Sequence, residues 1–216
     1  MKHIISRRCF AFTFTMLLAA TIMGCKSSNS EPKSSSTSAA PSNLSSTAAA
    51  PSNSSSANVP TIRIKAGTEE PLKDSKGQMW AADTGFDGGM TIDRPDLKVT
   101  GTDIPEIYRS ERYSMDHYAI KVPNGKYVLK LHFSECFEGI TDPTGRIFNY
   151  TIKDGDAASG KVVKEVKDFS PWKAAGAQYK AYVDSVPMTV TNGQITITFT
   201  AKTENPQINA IEVVPR

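Results

Sequence analysis

After Pro60 the chain is filled by short runs in which apolar and polar residues alternate. Ile62, Ile64 and Ala66 fall on one side of such a run, with Arg63 and Lys65 on the other. A period of two puts every second side chain on one sheet face, so this spacing predicts a half-buried strand. The pattern recurs over Tyr118–Val122 and over Tyr127–Phe133, where Tyr127, Leu129, Leu131 and Phe133 share a face and Val128, Lys130, His132 and Ser134 take the other. Asn124-Gly125 separates these two runs, and that dipeptide favours the type I′ turn whose twist suits a hairpin, so the runs are predicted to pair directly. Further strands are predicted at Arg146–Lys153, closed by Asp154-Gly155, at Gly160–Lys167, at Tyr179–Val190 and at Gln194–Thr200, with Asn192-Gly193 joining the last two. Gln207–Val214 reads as a final strand returning beside Ile62–Ala66. Only Asp168–Gln178 has helical character, and Pro171 and Gly176 keep it short. Gly67–Glu111 shows little periodicity and reads as a long loop, a kind that is functional or disordered in a compact domain. Its aromatic residues argue against disorder. Many short strands without alternating long helices predict an all-β fold, an antiparallel β-sandwich of the jelly-roll type.

Before Pro60 the pattern is of another kind. Lys2, His3, Arg7 and Arg8 precede an apolar run, Phe10–Met23, interrupted only by Thr13, Thr15 and Thr21. A basic segment followed by an apolar stretch too short to span comfortably reads as an export signal. The run ends in Ile22-Met23-Gly24-Cys25, which resembles the bacterial lipobox; the resemblance implies cleavage after Gly24 and acylation of Cys25. An ordinary signal peptide with a chance cysteine, or an uncleaved anchor helix, are the alternatives. Lys26 stands where the sorting rule of Gram-negative lipoproteins places aspartate in those kept at the inner membrane, which implies outer-membrane delivery in such a host. Acyl chains contribute about 0.8 kcal/mol per buried methylene, so more than one is needed to hold the chain at a membrane. Ser27–Asn58 is dominated by serine and repeats Ala-Ala-Pro-Ser-Asn at Ala39–Asn43 and Ala49–Asn53. Such a segment buries too little apolar area to offset its ordering entropy and reads as a tether. The predicted organisation is therefore a lipoprotein signal peptide over 1–24, a disordered tether over 25–59 and one domain over 60–216.

Charge and cysteine usage narrow the chemistry. The chain has 25 basic and 22 acidic residues, and Lys2, Arg7 and Arg8 in the signal account for the whole excess. A neutral mature protein lacks the cationic surplus that phosphate-dominated binding requires, so nucleic acid is not expected as a partner. Of Cys9, Cys25 and Cys136 only the last remains as a free thiol in the predicted mature chain, which excludes an intramolecular disulfide. His117 and His132 with one cysteine show no zinc spacing, and Asp83, Asp87 and Asp142 form no calcium-loop pattern, so no metal and no cofactor is expected.

Several blocks together carry a family resemblance: Ile62–Gly67, Trp80-Ala81-Ala82-Asp83, Phe86 with Gly88-Gly89, Ile107-Tyr108-Arg109-Ser110-Glu111-Arg112-Tyr113, Tyr127–Glu135 and Asn205-Pro206-Gln207-Ile208-Asn209-Ala210-Ile211-Glu212. In this order they resemble a malectin domain over nearly all of Thr61–Val214. The resemblance implies a carbohydrate-binding β-sandwich whose loop aromatics and one acid hold an oligosaccharide or polysaccharide, glucose-containing in the known members. Carried over by position, it implies Phe86 in the glycine-flanked loop, Tyr108 and Tyr113 in the Tyr-x-x-Glu-Arg-Tyr block, Phe137 after Phe133-x-Glu135, and Glu204 before Asn-Pro as carbohydrate-binding residues. Glu138 stands where the animal proteins commonly carry an aromatic, and Glu204 where they carry aspartate. The chemistry is consistent with the residue types: a pyranose offers a C–H face that fits an aromatic plane and hydroxyl edges that a carboxylate accepts. Trp80 and Trp172 read as packing residues, and Glu111, Arg112 and Glu135 as an ion-pair network.

The expected function is non-catalytic carbohydrate binding by a lipid-anchored protein of the cell envelope, with no catalytic residue. Two alternatives use the same residues. Asp83 with Glu111 or Glu135 would serve a glycosidase if the carboxylates stood about 5–9 Å apart. The aromatic loops would otherwise serve as hot spots for a protein partner in the envelope.

Overall fold

The structure is a computed structural model that describes residues 59–216. The predicted signal, the acylation residue Cys25 and the tether as far as residue 58 lie outside the described residues. Val59 already packs against the domain core.

Two antiparallel sheets face each other. The first contains β1 (Ile62–Lys65), β12 (Ala210–Pro215), β6 (Gly125–Phe133) and β9 (Tyr182–Val190), in that order. The second runs from β4 (Phe86–Asp93) through β5 (Ser110–Lys121), then β10 (Gln194–Thr203) and β7 (Ile147–Asp154) to β8 (Lys161–Phe169), with the two-residue β11 (Gln207–Ile208) on the upper part of β5. Alternate residues of both sheets point inward, as a sandwich requires. Tyr127, Leu129, Leu131 and Phe133 of β6 thus meet Tyr118, Ile120, Tyr150, Ile152, Ile195 and Ile197 in one core. The predicted final strand, Gln207–Val214, is split: Gln207–Ile208 joins the second sheet, and only Ala210 onward returns beside the first strand, with Ile64 opposite Ile211 and Arg63 opposite Glu212. The short helix α1 (Pro171–Ala175) starts at a Ser170 cap and ends at Gly176 in the left-handed region, as Pro171 and Gly176 foreshadow.

Asn124-Gly125 does not close a hairpin. β5 and β6 belong to different sheets, and the turn carries the chain across the sandwich. A two-residue hairpin would need Pro123 to donate an N–H to Lys126, and proline has none. The Asn124 side chain instead accepts from Gly193 N at 2.8 Å, in the second Asn-Gly turn. That turn also crosses between sheets, and the Asp154 carboxylate fixes it by accepting from Thr191 N and Asn192 N.

Gly67–Glu111 is more ordered than its lack of periodicity suggests. It contains a small hairpin, β2 (Leu72–Lys73) with β3 (Met79–Trp80), the eight-residue edge strand β4, and a 3₁₀ turn, Pro105–Tyr108. The outer face of the first sheet is consequently not half exposed as the alternation of β6 implies. His132 is buried there, edge-on to Trp80 at 5.6 Å between ring centroids and bonded to the Tyr108 hydroxyl and to Glu212. Trp80, Val99, Ile107, Tyr108 and Cys136 form a second, smaller core over it. Burial pushes the Cys136 thiol up to about 12. Trp80 is fully buried, whereas Trp172 is only partly buried and belongs to neither core.

Candidate functional site

One end of the second sheet carries a pocket of about 180 Å³, lined by Ile92, Arg94, Glu111, Tyr113, Phe137, Arg146, Glu204 and Asn205. Four segments build it. Near the end of β4, Ile92 pairs with Glu111 of β5, while Met90 pairs with Tyr113. Because Glu111 and Tyr113 are two apart on one strand, they share a face. Gly89 makes the approach of β4 possible: at φ 82° it sits where a Cβ would lie 2.6 Å from the Tyr113 carbonyl oxygen.

The connection from β6 to β7 supplies Phe137 and Arg146. Glu135, fully buried, accepts from Phe137 N at 3.0 Å through one carboxylate oxygen and from Arg146 Nε at 2.7 Å through the other. Arg146 Nη1 also donates to the Asn205 carbonyl, which draws in the loop between β10 and β11 that carries Glu204. Phe137, 40% exposed, packs over Gly139, where any Cβ would collide with its ring.

Glu111 forms the floor. Its side chain is 2% exposed. Oε1 accepts from Arg94 Nη2 at 3.4 Å, but Oε2 has no partner, and Arg94 Nη1 has none either. Burial raises the Glu111 pKa above the ordinary carboxylate range, with Arg94 pulling it back. Buried polar atoms are normally paired, and these two residues of the pocket wall leave one donor and one acceptor unmet. Beneath it, Lys65 Nζ donates to the carbonyls of Ala66, Ser110 and Asn209 at 2.7, 2.8 and 3.1 Å. Asn209 holds Tyr108 and Ser110 through their carbonyls in turn. This knot fixes the start of β5; burial without a paired carboxylate brings the Lys65 ammonium down to about 7.

Of the five residues that the resemblance implies, Tyr113, Phe137 and Glu204 meet in this pocket. Tyr108 does not join them. Its ring is 1% exposed and its hydroxyl is held by His132 at 2.9 Å, because the 3₁₀ turn aims it at the small core. Phe86 lies elsewhere too, in a separate pocket with Asp83 and Arg112. The expected network of Glu111, Arg112 and Glu135 resolves into three independent pairs: Glu111 with Arg94, Arg112 with Asp83 at 2.7 Å, and Glu135 with Arg146. Glu111 is therefore a pocket residue as well as an ion-pair residue. Arg94 and Arg146 carry no site signal in the sequence, whereas Glu111 lies in the Tyr-x-x-Glu-Arg-Tyr block and Asn205 opens the Asn-Pro block. The carboxylates that a glycosidase would pair do not meet in a pocket: Asp83 and Glu111 line different ones, and Glu135 is sealed in. Among the described residues no group of three His, Cys, Asp or Glu is placed to hold a metal ion, and no helix is long and apolar enough to cross a membrane.

The malectin domain profile matches residues 60–211. The chain belongs to the malectin domain family. Malectin domains are carbohydrate-binding and extracellular interaction modules. Comparison with curated protein sequences finds no match. Among solved structures the domain is similar to a Bacteroides uniformis β-glucuronidase, with a TM-score of 0.60, 19% identity, and coverage of 72% of this chain and 18% of that one. It is similar to the ANX2 ectodomain from Arabidopsis thaliana, at 0.57 and 16%, covering 71% and 49%, and to the plant receptor-like kinase FER, at 0.57 and 18%, covering 73% and 42%. At these identities the likeness establishes the fold. The chain spans less than half the length of each of these structures.

Proposed function

We propose that this malectin domain binds carbohydrate without transforming it, in the pocket between Tyr113, Phe137, Glu111 and Glu204. The observation that carries the reading is one pocket lined by two aromatic side chains, Tyr113 and Phe137, and by Glu111 and Arg94, whose Oε2 and Nη1 have no partner. Neighbouring hydroxyls of a sugar ring satisfy both atoms, and the ring's C–H face suits Phe137 or Tyr113. The cavity is smaller than the roughly 300–1,000 Å³ of sites for drug-sized ligands, so it fits one sugar unit with the rest of a glycan outside. A glycan array followed by calorimetry tests this. Phe137→Ala and Tyr113→Ala should each weaken the best ligand about tenfold, the upper end of what one aromatic contact contributes. Tyr108→Phe should leave that affinity unchanged and cost only about 1 kcal/mol of stability through its lost bond to His132. Absence of binding to α- and β-glucans, galactans and mannans alike would overturn the reading. Met90, 58% exposed beside Tyr113, also favours a protein contact here; a protein ligand that free oligosaccharide fails to displace would establish that alternative.

The sequence before Pro60 completes the proposal: acylation of Cys25 holds the domain at the cell envelope, on the outer membrane in a Gram-negative host. The basic and apolar leader, Gly24-Cys25 and the following Lys26 support it. Incorporation of labelled palmitate, and its loss in Cys25→Ala with release of the protein from membranes, is the expected result. Unchanged membrane association of Cys25→Ala would sink it.

A further inference from the structure

Phe86 has no part in the pocket at Glu111, yet it is fixed and open to solvent. The Arg112 guanidinium carbon lies 3.3 Å from its ring centroid, and Phe86 still remains 39% exposed. Arg112 cannot swing away, since its Nε donates to Asp83 Oδ2 at 2.7 Å and its Nη1 to the Gly88 carbonyl at 3.0 Å. Asp83 is itself held by Gly67 N and the Tyr118 hydroxyl, each at 2.8 Å. Tyr118 meets Phe86 edge-on, with 6.2 Å between ring centroids. The ring is thus a preorganised platform. Around it, Gly67, Thr68, Glu69, Thr91 and Arg112 complete a pocket of about 190 Å³. Thr91 and Ile92 are adjacent on β4, so this pocket opens on the face opposite the one that carries Ile92, Glu111 and Tyr113.

We infer that the Phe86 pocket is a second carbohydrate subsite, set back to back with the first across the β4–β5 strand pair. The inference rests on the carbohydrate-binding reading above. The chemistry that selects a sugar is local. Phe86 offers an apolar surface to C–H bonds, and Glu69 and Thr91, both exposed and in no side-chain hydrogen bond among the described residues, offer an acceptor and a hydroxyl to the ring's edge. An anion finds little there, because Asp83 already neutralises Arg112. A cation finds less, because the Arg112 guanidinium covers one face of the Phe86 ring and repels a second positive charge. Strand β4 is exposed along all eight residues, so its free edge leaves both pockets open at once. One domain would then hold two glycan segments, and retention on a polysaccharide would gain from both.

The test is a nuclear magnetic resonance titration of the domain from Pro60 onward with maltohexaose, cellohexaose and mannohexaose, following backbone amides on both faces of β4. The expected result is two sets of saturating shifts, one around Glu111, Tyr113 and Phe137, the other around Thr68, Glu69, Phe86 and Thr91. Phe86→Ala should weaken the second set about tenfold and leave the first unchanged. Glu69→Gln, at an exposed position that folding does not depend on, should weaken the second set alone. Shifts confined to the Glu111 side, or a second set untouched by both substitutions, overturn the second site and leave the first standing. No shifts at either place with any probe overturn both.

Discussion

Arg146→Met is expected to lower the unfolding free energy by about 3–5 kcal/mol, the cost of stranding one partner of a buried ion pair, and to abolish glycan binding in the protein that remains folded. The magnitude follows from burial. Glu135 is fully enclosed and Arg146 nearly so, and the two are joined at 2.7 Å. Without the guanidinium the Glu135 carboxylate would stay in the interior with only Phe137 N as a partner. The loss of function follows from connectivity. The same guanidinium ties the Asn205 carbonyl, so its removal frees the loop bearing Glu204 and the loop bearing Phe137 together. Lys202→Met is the matched control. Its pair with Asp168 is about half exposed on both sides, and pairs of that kind contribute roughly 0–1 kcal/mol. Urea unfolding followed by circular dichroism measures the difference, and calorimetry below the transition measures binding. A loss under 1 kcal/mol for Arg146→Met would mean that the pair is not holding the loops.

The alternation that is legible in the sequence belongs to strands whose inner face is buried. Ile62–Lys65, Tyr127–Phe133 and Ala210–Val213 announce themselves because each presents apolar residues at every second position to one core. β4 is silent for the converse reason. Nothing on it is buried, and Gly88-Gly89 with a register shift after Asp87 interrupts its period, so that Phe86 lies with Thr91 and not with Ile92. Asn124-Gly125 was a turn signal that fixed the position of a reversal without fixing which sheet the chain entered next. Pro123 held that information, as the residue unable to donate the closing hydrogen bond.

The candidate site shows the same division. Tyr113, Phe137 and Glu204 converge although they come from three separate segments, and the resemblance implied each by position. Tyr108 stands only five residues before Tyr113, but the chain changes from a 3₁₀ turn to a strand between them, so one ring points into the small core and the other over the pocket. Spacing within a block cannot reveal such a change of direction. Nor can it separate a complete ion pair from a half-made one: Glu135 and Glu111 look alike as acids near arginines, yet the first has both oxygens bonded and the second leaves one bare.

That bare oxygen gives the second large expectation, in which binding and stability respond differently to one substitution. Burial raises the Glu111 pKa above its ordinary value, Arg94 opposing. An acid with a raised folded-state pKa keeps its proton in the folded protein at pH values where the unfolded chain has lost it. Its contribution to stability is complete below the unfolded value and is lost as pH rises through the folded one. Wherever Glu111 is ionised it is therefore a cost to the fold, and Glu111→Gln, equal in shape and still able to accept from Arg94, should leave the domain as stable or make it more so. Binding has the opposite dependence. A sugar hydroxyl donating to Oε2 favours the ionised form, so affinity is full above the raised pKa and falls as pH drops through it. Hydrogen bonds to a charged acceptor contribute about 1.5–3 kcal/mol, so Glu111→Gln should weaken the glycan about tenfold or more and flatten the pH profile of what remains. Calorimetric titrations over a series of pH values, paired with denaturation of both proteins, measure the two effects. A variant that loses stability while keeping its affinity would make Glu111 a structural residue and leave the pocket without its acceptor.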